Sequence, residues 1–287
     1  MKYYKKRCQL STTSSQTHYY IKVHDSGKKQ IISKVEYEES RQLGGILKHH
    51  SLALLKRCFA ISRHHYPRKG TMGPMTADFM TSKNEHKVIL THLQDVIDRN
   101  VPGSILELGC HNGNTTIMIQ RLLKLNNLKR EVVVYDSFKG FPDVAHEADK
   151  GWGKEGDLKT SVSKFKKVLK RAKVPLPRIE KGFFSDIPES KFPPKIAFVF
   201  FDGDLYQSTL DALARVHRKM SPGGVIVFDD FKNPQQNMYP GVEKACKVFY
   251  GEKNSVNLVN EHILEITDPF FHVKPDTISQ AVIQYKQ

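Results

Sequence analysis

The chain has 287 residues, enough to bury a large core without covalent staples, and its four cysteines (Cys8, Cys58, Cys110, Cys246) are scattered with no C-x-x-C pair. This argues against a disulfide framework or a zinc site and fits a reducing, cytoplasmic compartment. The net charge of +15 sets up a field that can steer the protein to nucleic acid, anionic lipid or a nucleotide-linked substrate, while the absence of any long apolar run excludes a membrane span.

The basic start, Met1 to Arg7, has no apolar stretch behind it, so no signal peptide is expected. Leu10 to Thr17 is polar and reads as loose. Tyr19 to Val23 and Gln30 to Val35 predict a hairpin around Asp25-Ser26-Gly27. Ile46 to Ile61 predicts a helix, which the Pro- and Gly-rich run Tyr66 to Pro74 breaks. Residues 1–70 are therefore set apart as a basic N-terminal extension, and 71–287 as the main domain. A second helix is expected to start near Thr81-Ser82. Ser82 and Glu85 have capping-box spacing, and Val88, Leu90, Leu93, Val96 and Ile97 supply an apolar face.

From Pro102 onward strands and helices alternate, the mark of a single α/β unit. Ser104 to Leu108 is a short apolar strand running into Gly109, and Ile117, Ile119, Leu122 and Leu123 mark a helix behind it. A second strand, Val132 to Asp136, ends in an acid. The long segment Phe141 to Thr160, with glycines at 151, 153 and 156 and the only tryptophan, Trp152, reads as a lid over a crevice. The helix Ser161 to Arg171 has an apolar stripe (Val162, Phe165, Val168, Leu169), and its lysines make an ordinary solvated face. Ile196 to Phe201 and Val225 to Phe228 read as inner strands of a parallel sheet. A helix over Gly241 to Tyr250 and late strands at Val256 to Val259, His262 to Ile266 and Ala281 to Tyr285 complete the chain.

Two features carry chemistry. The first is the acidic pair of clusters, Asp202-Gly203-Asp204 and Asp229-Asp230, each directly after an apolar strand. The carboxyl ends of parallel strands line the ligand crevice of an open sheet. Four carboxylates there repel one another unless some are protonated or a cation sits between them. Without Cys or neighbouring His they form the ligand set of a hard divalent ion, Mg2+ before Zn2+. The second is the order strand, Gly109 loop, helix, strand, Asp136. Gly109 and Gly113 allow a sharp turn and close approach of a ligand to a helix amino end, and the acid accepts hydrogen bonds from a ribose diol. The spacing is not G-x-G-x-x-G; E-x-G-x-x-x-G followed by that acid points to S-adenosylmethionine rather than a nicotinamide.

The segments Met80 to Ser82, Val101 to Gly109, Tyr135 to Pro142, Gly156 to Leu158, Lys181 to Phe184, Asp202 to Thr209 and Ser221 to Phe231 resemble, in order, the macrocin O-methyltransferase family of class I S-adenosylmethionine-dependent methyltransferases. D-x-D-L-Y-x-S-T and S-P-G-G…D-D-[YF] are its most specific elements. The resemblance covers about residues 78 to 250. It implies a Rossmann-like α/β fold, with a mostly parallel central sheet flanked by helices. It also implies a Mg2+ site of Asp202, Asp229 and Asp230, with Asp204 just outside the first ligands, and Asp136 on the ribose. Glu107, Gly109 and the Thr81-Ser82 region would lie along the methionine end, and Gly182-Phe183 near the adenine. Gly113, Ser137 and Asp202 complete the implied cofactor set. His111-Asn112 departs from the aromatic–basic pair expected after the first glycine.

The expected reaction is metal-dependent methyl transfer to a hydroxyl of a sugar, a nucleotide-linked sugar or another small hydroxylated molecule, with Asp202 or Asp204 taking the proton. Two alternatives stay open: a nucleic-acid methyltransferase, suggested by the charge but lacking an RNA-module signature, and a non-catalytic S-adenosylmethionine-binding protein. A homo-oligomer is compatible with the sequence.

Overall fold

The computed structural model describes residues 2–8, 17–23, 29–32, 49–62, 81, 83–231, 240–250, 262–265 and 280–285. The chain divides into two units, Met1–Lys48 and His49–Gln287. In the first, β1 (Lys2–Cys8), β2 (Thr17–Val23) and β3 (Lys29–Ile32) form an antiparallel sheet in that order. The β2–β3 pairing, from Tyr20 opposite Ile32 to Val23 opposite Lys29, is the expected hairpin. β1 has no counterpart in the sequence reading, because its basic residues hide any apolar alternation. It is a strand by virtue of pairing with β2 along its whole length, Lys2 opposite Val23 through Cys8 opposite Thr17.

The second unit is built on a seven-stranded sheet. Its strands are β4 (Ser104–Leu108), β5 (Val132–Asp136), β6 (Arg178–Lys181), β7 (Ile196–Phe201), β8 (Met220–Phe228), β9 (His262–Glu265) and β10 (Ala281–Tyr285), in the spatial order β6-β5-β4-β7-β8-β10-β9. β6, β5, β4, β7 and β8 are mutually parallel. β10 is antiparallel to both β8 and β9. β4 and β7 are buried along their whole length, which is why β7 runs wholly apolar and β4 is apolar but for Ser104 and the buried Glu107. The strand order reverses between β4 and β7, and at such a switch point the crevice opens at the strands' carboxyl ends. β6 (Arg-Ile-Glu-Lys) was missed by sequence: it is short, polar and only half-buried at the sheet edge.

The helices are α1 (His49–Ser62), α2 (Lys83–Asp98), α3 (Asn114–Leu125), α4 (Val162–Arg171), α5 (Tyr206–Val216) and α6 (Pro240–Tyr250). Leu54, Leu55 and Cys58 of α1 are buried, and the Cys58 thiol lies 3.8 Å from the Met118 carbonyl on α3. This helix therefore packs with the second unit; the expected boundary near residue 70 falls outside the described residues, as do Tyr66 to Pro74, Ser82 and Val256 to Val259. α2 departs from the one-faced helix that its pattern suggests. Residues 88–96 are all buried, polar ones included, because α2 packs against α1, α3 and the sheet. Its polar groups find partners there: Gln94 Nε2 donates to Asp98 and Asn126, and Arg99 Nε donates to Asp95.

Candidate active site

The carboxyl ends of β4, β5, β6 and β7 contribute to a cavity of about 280 Å³. Glu107, Gly109, Asp136 and Ser137 line one side, together with Thr81. Gly182, Phe183, Asp202 and Asp204 are also among its lining residues. Thr81 Oγ1 lies 3.5 Å from Thr115 Oγ1, which in turn is 3.0 Å from His86 Nε2, so α2 helps to place this wall.

Gly109 has φ +90, and a Cβ there would sit 1.8 Å from the Asp202 carbonyl oxygen. The ends of β4 and β7 can approach this closely only at a glycine. Gly113 is needed for a different reason than ligand approach. It does not line the cavity. A Cβ would meet Leu169 Cδ1 at 2.5 Å and Phe165 Cε2 at 2.7 Å, so its bareness lets α4 pack on the start of α3.

Asp136 organises the loop it faces. Oδ2 accepts from the backbone N–H groups of Cys110 (3.0 Å) and His111 (2.8 Å), and Oδ1 accepts from that of Phe138 (2.7 Å). His111 and Phe138 both have left-handed backbones, φ 42 and 54, which non-glycine residues hold only when their surroundings insist. Ser137 does similar work on a smaller scale, donating from Oγ to the Gly140 carbonyl and accepting from the Lys139 N–H. Glu107 is 1% exposed and accepts from Thr116 Oγ1 at 2.5 Å. Burial pushes its carboxyl up to about 8, against the Thr116 hydrogen bond and with the Asp136 charge adding to the rise.

The acidic clusters meet because β7 and β8 are neighbours, Phe201 lying opposite Phe228. A carboxylate oxygen from each of Asp202, Asp204 and Asp230 lies within 4.8 Å of the others. Asp204 and Asp230 have left-handed backbones, φ 58 and 51, and share a hydrogen bond. Burial is the first cause of the upward shift in all four acids. The charges of neighbouring carboxylates add to it, so the four acids resist carrying four negative charges at once. Glu85, in the first turn of α2, adds negative field at Asp229 and Asp230. Asp229 is not among the three clustered acids; its Oδ1 accepts from Gln280 Nε2 at 2.9 Å. The resemblance therefore implied Asp202, Asp229 and Asp230 as a set, whereas the structure groups Asp204 with Asp202 and Asp230. Gln280 was missed, since nothing along the chain marks a residue 51 positions downstream as a partner of Asp229. The only local signal was its position directly before the Ala281 to Tyr285 strand.

The family model for macrocin-O-methyltransferase (TylF) matches residues 17–266. The chain is 30% identical over 183 residues to the demethyldecarbamoylnovobiocin O-methyltransferase of Streptomyces niveus, covering 59% of this chain and 68% of that protein. It is 30% identical over 148 residues to the 8-demethyl-8-(2,3-dimethoxy-alpha-L-rhamnosyl)-tetracenomycin-C 4'-O-methyltransferase of Streptomyces olivaceus, covering 48% of this chain and 57% of that protein. The solved structure of the O-methyltransferase NovP superposes with a TM-score of 0.66 at 23% identity, over 83% of this chain and 100% of that chain, which shows the same Rossmann-like class I fold.

Proposed function

The chain belongs to the macrocin O-methyltransferase family and is an S-adenosylmethionine-dependent O-methyltransferase; on that premise we propose that its acceptor is a hydroxyl of a sugar, or of a similar small hydroxylated molecule, and that it works with Mg2+. The rhamnosyl acceptor in the name of the Streptomyces olivaceus relative supports the sugar. The observation that carries the metal is the convergence of Asp202, Asp204 and Asp230 beside Asp229. Burial raises all four, so this many carboxylates become anions together only with a compensating cation, and an all-oxygen set fits a hard divalent ion.

Asp202, Asp229 and Asp230 would hold the ion, and Asp204 adjoins them. A divalent ion there supplies positive charge that lowers the pKa of a hydroxyl beside it. The chain's own part is placement and proton transfer. Asp204 lines the cavity beside Asp202 and Asp230, and burial raises its pKa from 3.8 to about 6, which suits it to take the acceptor's proton, with Asp202 as the alternative base. Asp136, Ser137, Gly182 and Phe183 would seat the adenosine, and Thr81, Ser82, Glu107 and Gly109 the methionine end. One C–O bond forms as one S–C bond breaks, so most of the acceleration depends on alignment. Among the described residues, Cys110 and Cys246 are buried free thiols, which suits a reducing, cytoplasmic setting. Among the described residues no helix is long and apolar enough to cross a membrane.

The test is charge removal without change of shape. Asp230→Asn should abolish methyl transfer while leaving S-adenosylmethionine affinity within a few-fold, and a chelator should reversibly do the same to the unaltered protein. Full activity in chelator would falsify the metal reading.

A further inference from the structure

Gln280 is the residue that the acidic site gains from outside the family's motifs. It is 0% exposed, stands immediately before β10, and donates from Nε2 to Asp229 Oδ1 at 2.9 Å. The antiparallel register, Ala281 opposite Phe228, brings it beside Asp229. Its other amide atom, Oε1, is buried and has no hydrogen-bond partner among the described residues. A buried acceptor with no donor is uncommon and calls for an explanation in the site it borders.

Resting on the metal reading above, we propose that Gln280 is a positioning residue for the acidic site: its Nε2–H holds Asp229 in one orientation beside Asp230, and its unpartnered Oε1 accepts a hydrogen bond from a water or hydroxyl that enters with the cation. The choice of an amide has a physical reason. A Lys or Arg at this place would orient Asp229 equally well, but its full positive charge would compete with a divalent ion for the same carboxylates. A neutral donor fixes the carboxylate and leaves its charge for the ion. Outer groups that orient ligands in this way tune metal affinity without touching the metal. Oε1 provides the second half of the device, an acceptor already desolvated and waiting for a donor.

The experiment uses the full chain, with Mn2+ alone as a spectroscopic probe and S-adenosylhomocysteine as a separate probe of the cofactor crevice. Gln280→Met keeps the volume and removes both amide functions. It should weaken Mn2+ binding by roughly tenfold or more and leave S-adenosylhomocysteine affinity essentially unchanged. Gln280→Asn keeps the amide on a shorter arm and should fall between the two; it also serves if the methionine variant does not fold. Unaltered Mn2+ affinity in these variants overturns the inference while the metal reading stands. Equal loss of Mn2+ and S-adenosylhomocysteine binding also overturns it, because Gln280 would then be merely structural. If the unaltered protein itself shows no saturable Mn2+ binding, the metal reading fails and the inference with it.

Discussion

Replacing Asp136 by Asn tests the junction between the fold and cofactor binding. The carboxylate receives three backbone N–H groups, two on Oδ2 and one on Oδ1. An asparagine has a single acceptor oxygen. If that oxygen keeps the Cys110 and His111 N–H groups, the side-chain NH2 faces the Phe138 N–H, donor against donor. One charge-assisted hydrogen bond is lost outright and two become neutral, which together cost about 3 kcal/mol of stability. At roughly 2–4 °C per kcal/mol for a domain of this size, the melting temperature should drop by about 6–12 °C. The left-handed backbones of His111 and Phe138 also lose the group that holds them. If Asp136 accepts from the ribose as well, S-adenosylhomocysteine should bind about 10- to 100-fold more weakly, since each 1.4 kcal/mol is tenfold in affinity. Thermal unfolding and titration calorimetry on the same preparation measure both effects. A melting temperature and an affinity both equal to those of the unaltered protein would refute the reasoning. A lower melting temperature with unchanged affinity would leave Asp136 as a loop clamp and assign the ribose to another group.

Three further outcomes are expected. Burial lowers the His92 pKa from 6.5 to about 4, so below pH 6.5 the unfolded chain takes up a proton that the native state refuses. Stability should fall by about 3 kcal/mol as the pH drops from 6.5 through 4; His92→Gln should flatten this slope, and an unchanged slope in denaturant titrations would count against it. The loop from Phe141 to Thr160 is pinned midway: Asp149 Oδ2 accepts from the Tyr206 N–H at 2.9 Å, and His146 stacks on Tyr206 with ring centroids 3.7 Å apart. Asp149→Ala should cost about 1 kcal/mol through the lost cap on α5 and speed hydrogen exchange in residues 142–156; exchange as slow as before would show that the pin lies elsewhere. In the unaltered protein, exchange in this loop should slow further when cofactor product and acceptor are both bound, and maximal protection without them would sink the lid expectation.

What the sequence determined by itself follows from information that lies along the chain. The runs Ser104–Leu108, Val132–Asp136 and Ile196–Phe201 are dominated by apolar residues without regular alternation, which marks them as inner strands wherever they pair. Asp136, Asp202 and Asp229 directly follow or end such strands, so their place at the mouth of the crevice is set by covalent adjacency. The tertiary structure decided what depends on segments far apart in sequence. Asp204 gathers with Asp202 and Asp230 while Asp229 turns to Gln280: Asp204 and Asp230 both hold left-handed backbones, and antiparallel pairing of β10 with β8 delivers the glutamine. Gly113 is bare because α4 packs on it, α2 is buried on every side because other elements surround it, and β1 is a strand because β2 pairs with it. Periodicity and motifs report what each segment can form and which end of it carries chemistry. The direction in which a charged side chain points, and which distant group answers it, are fixed only when the segments meet.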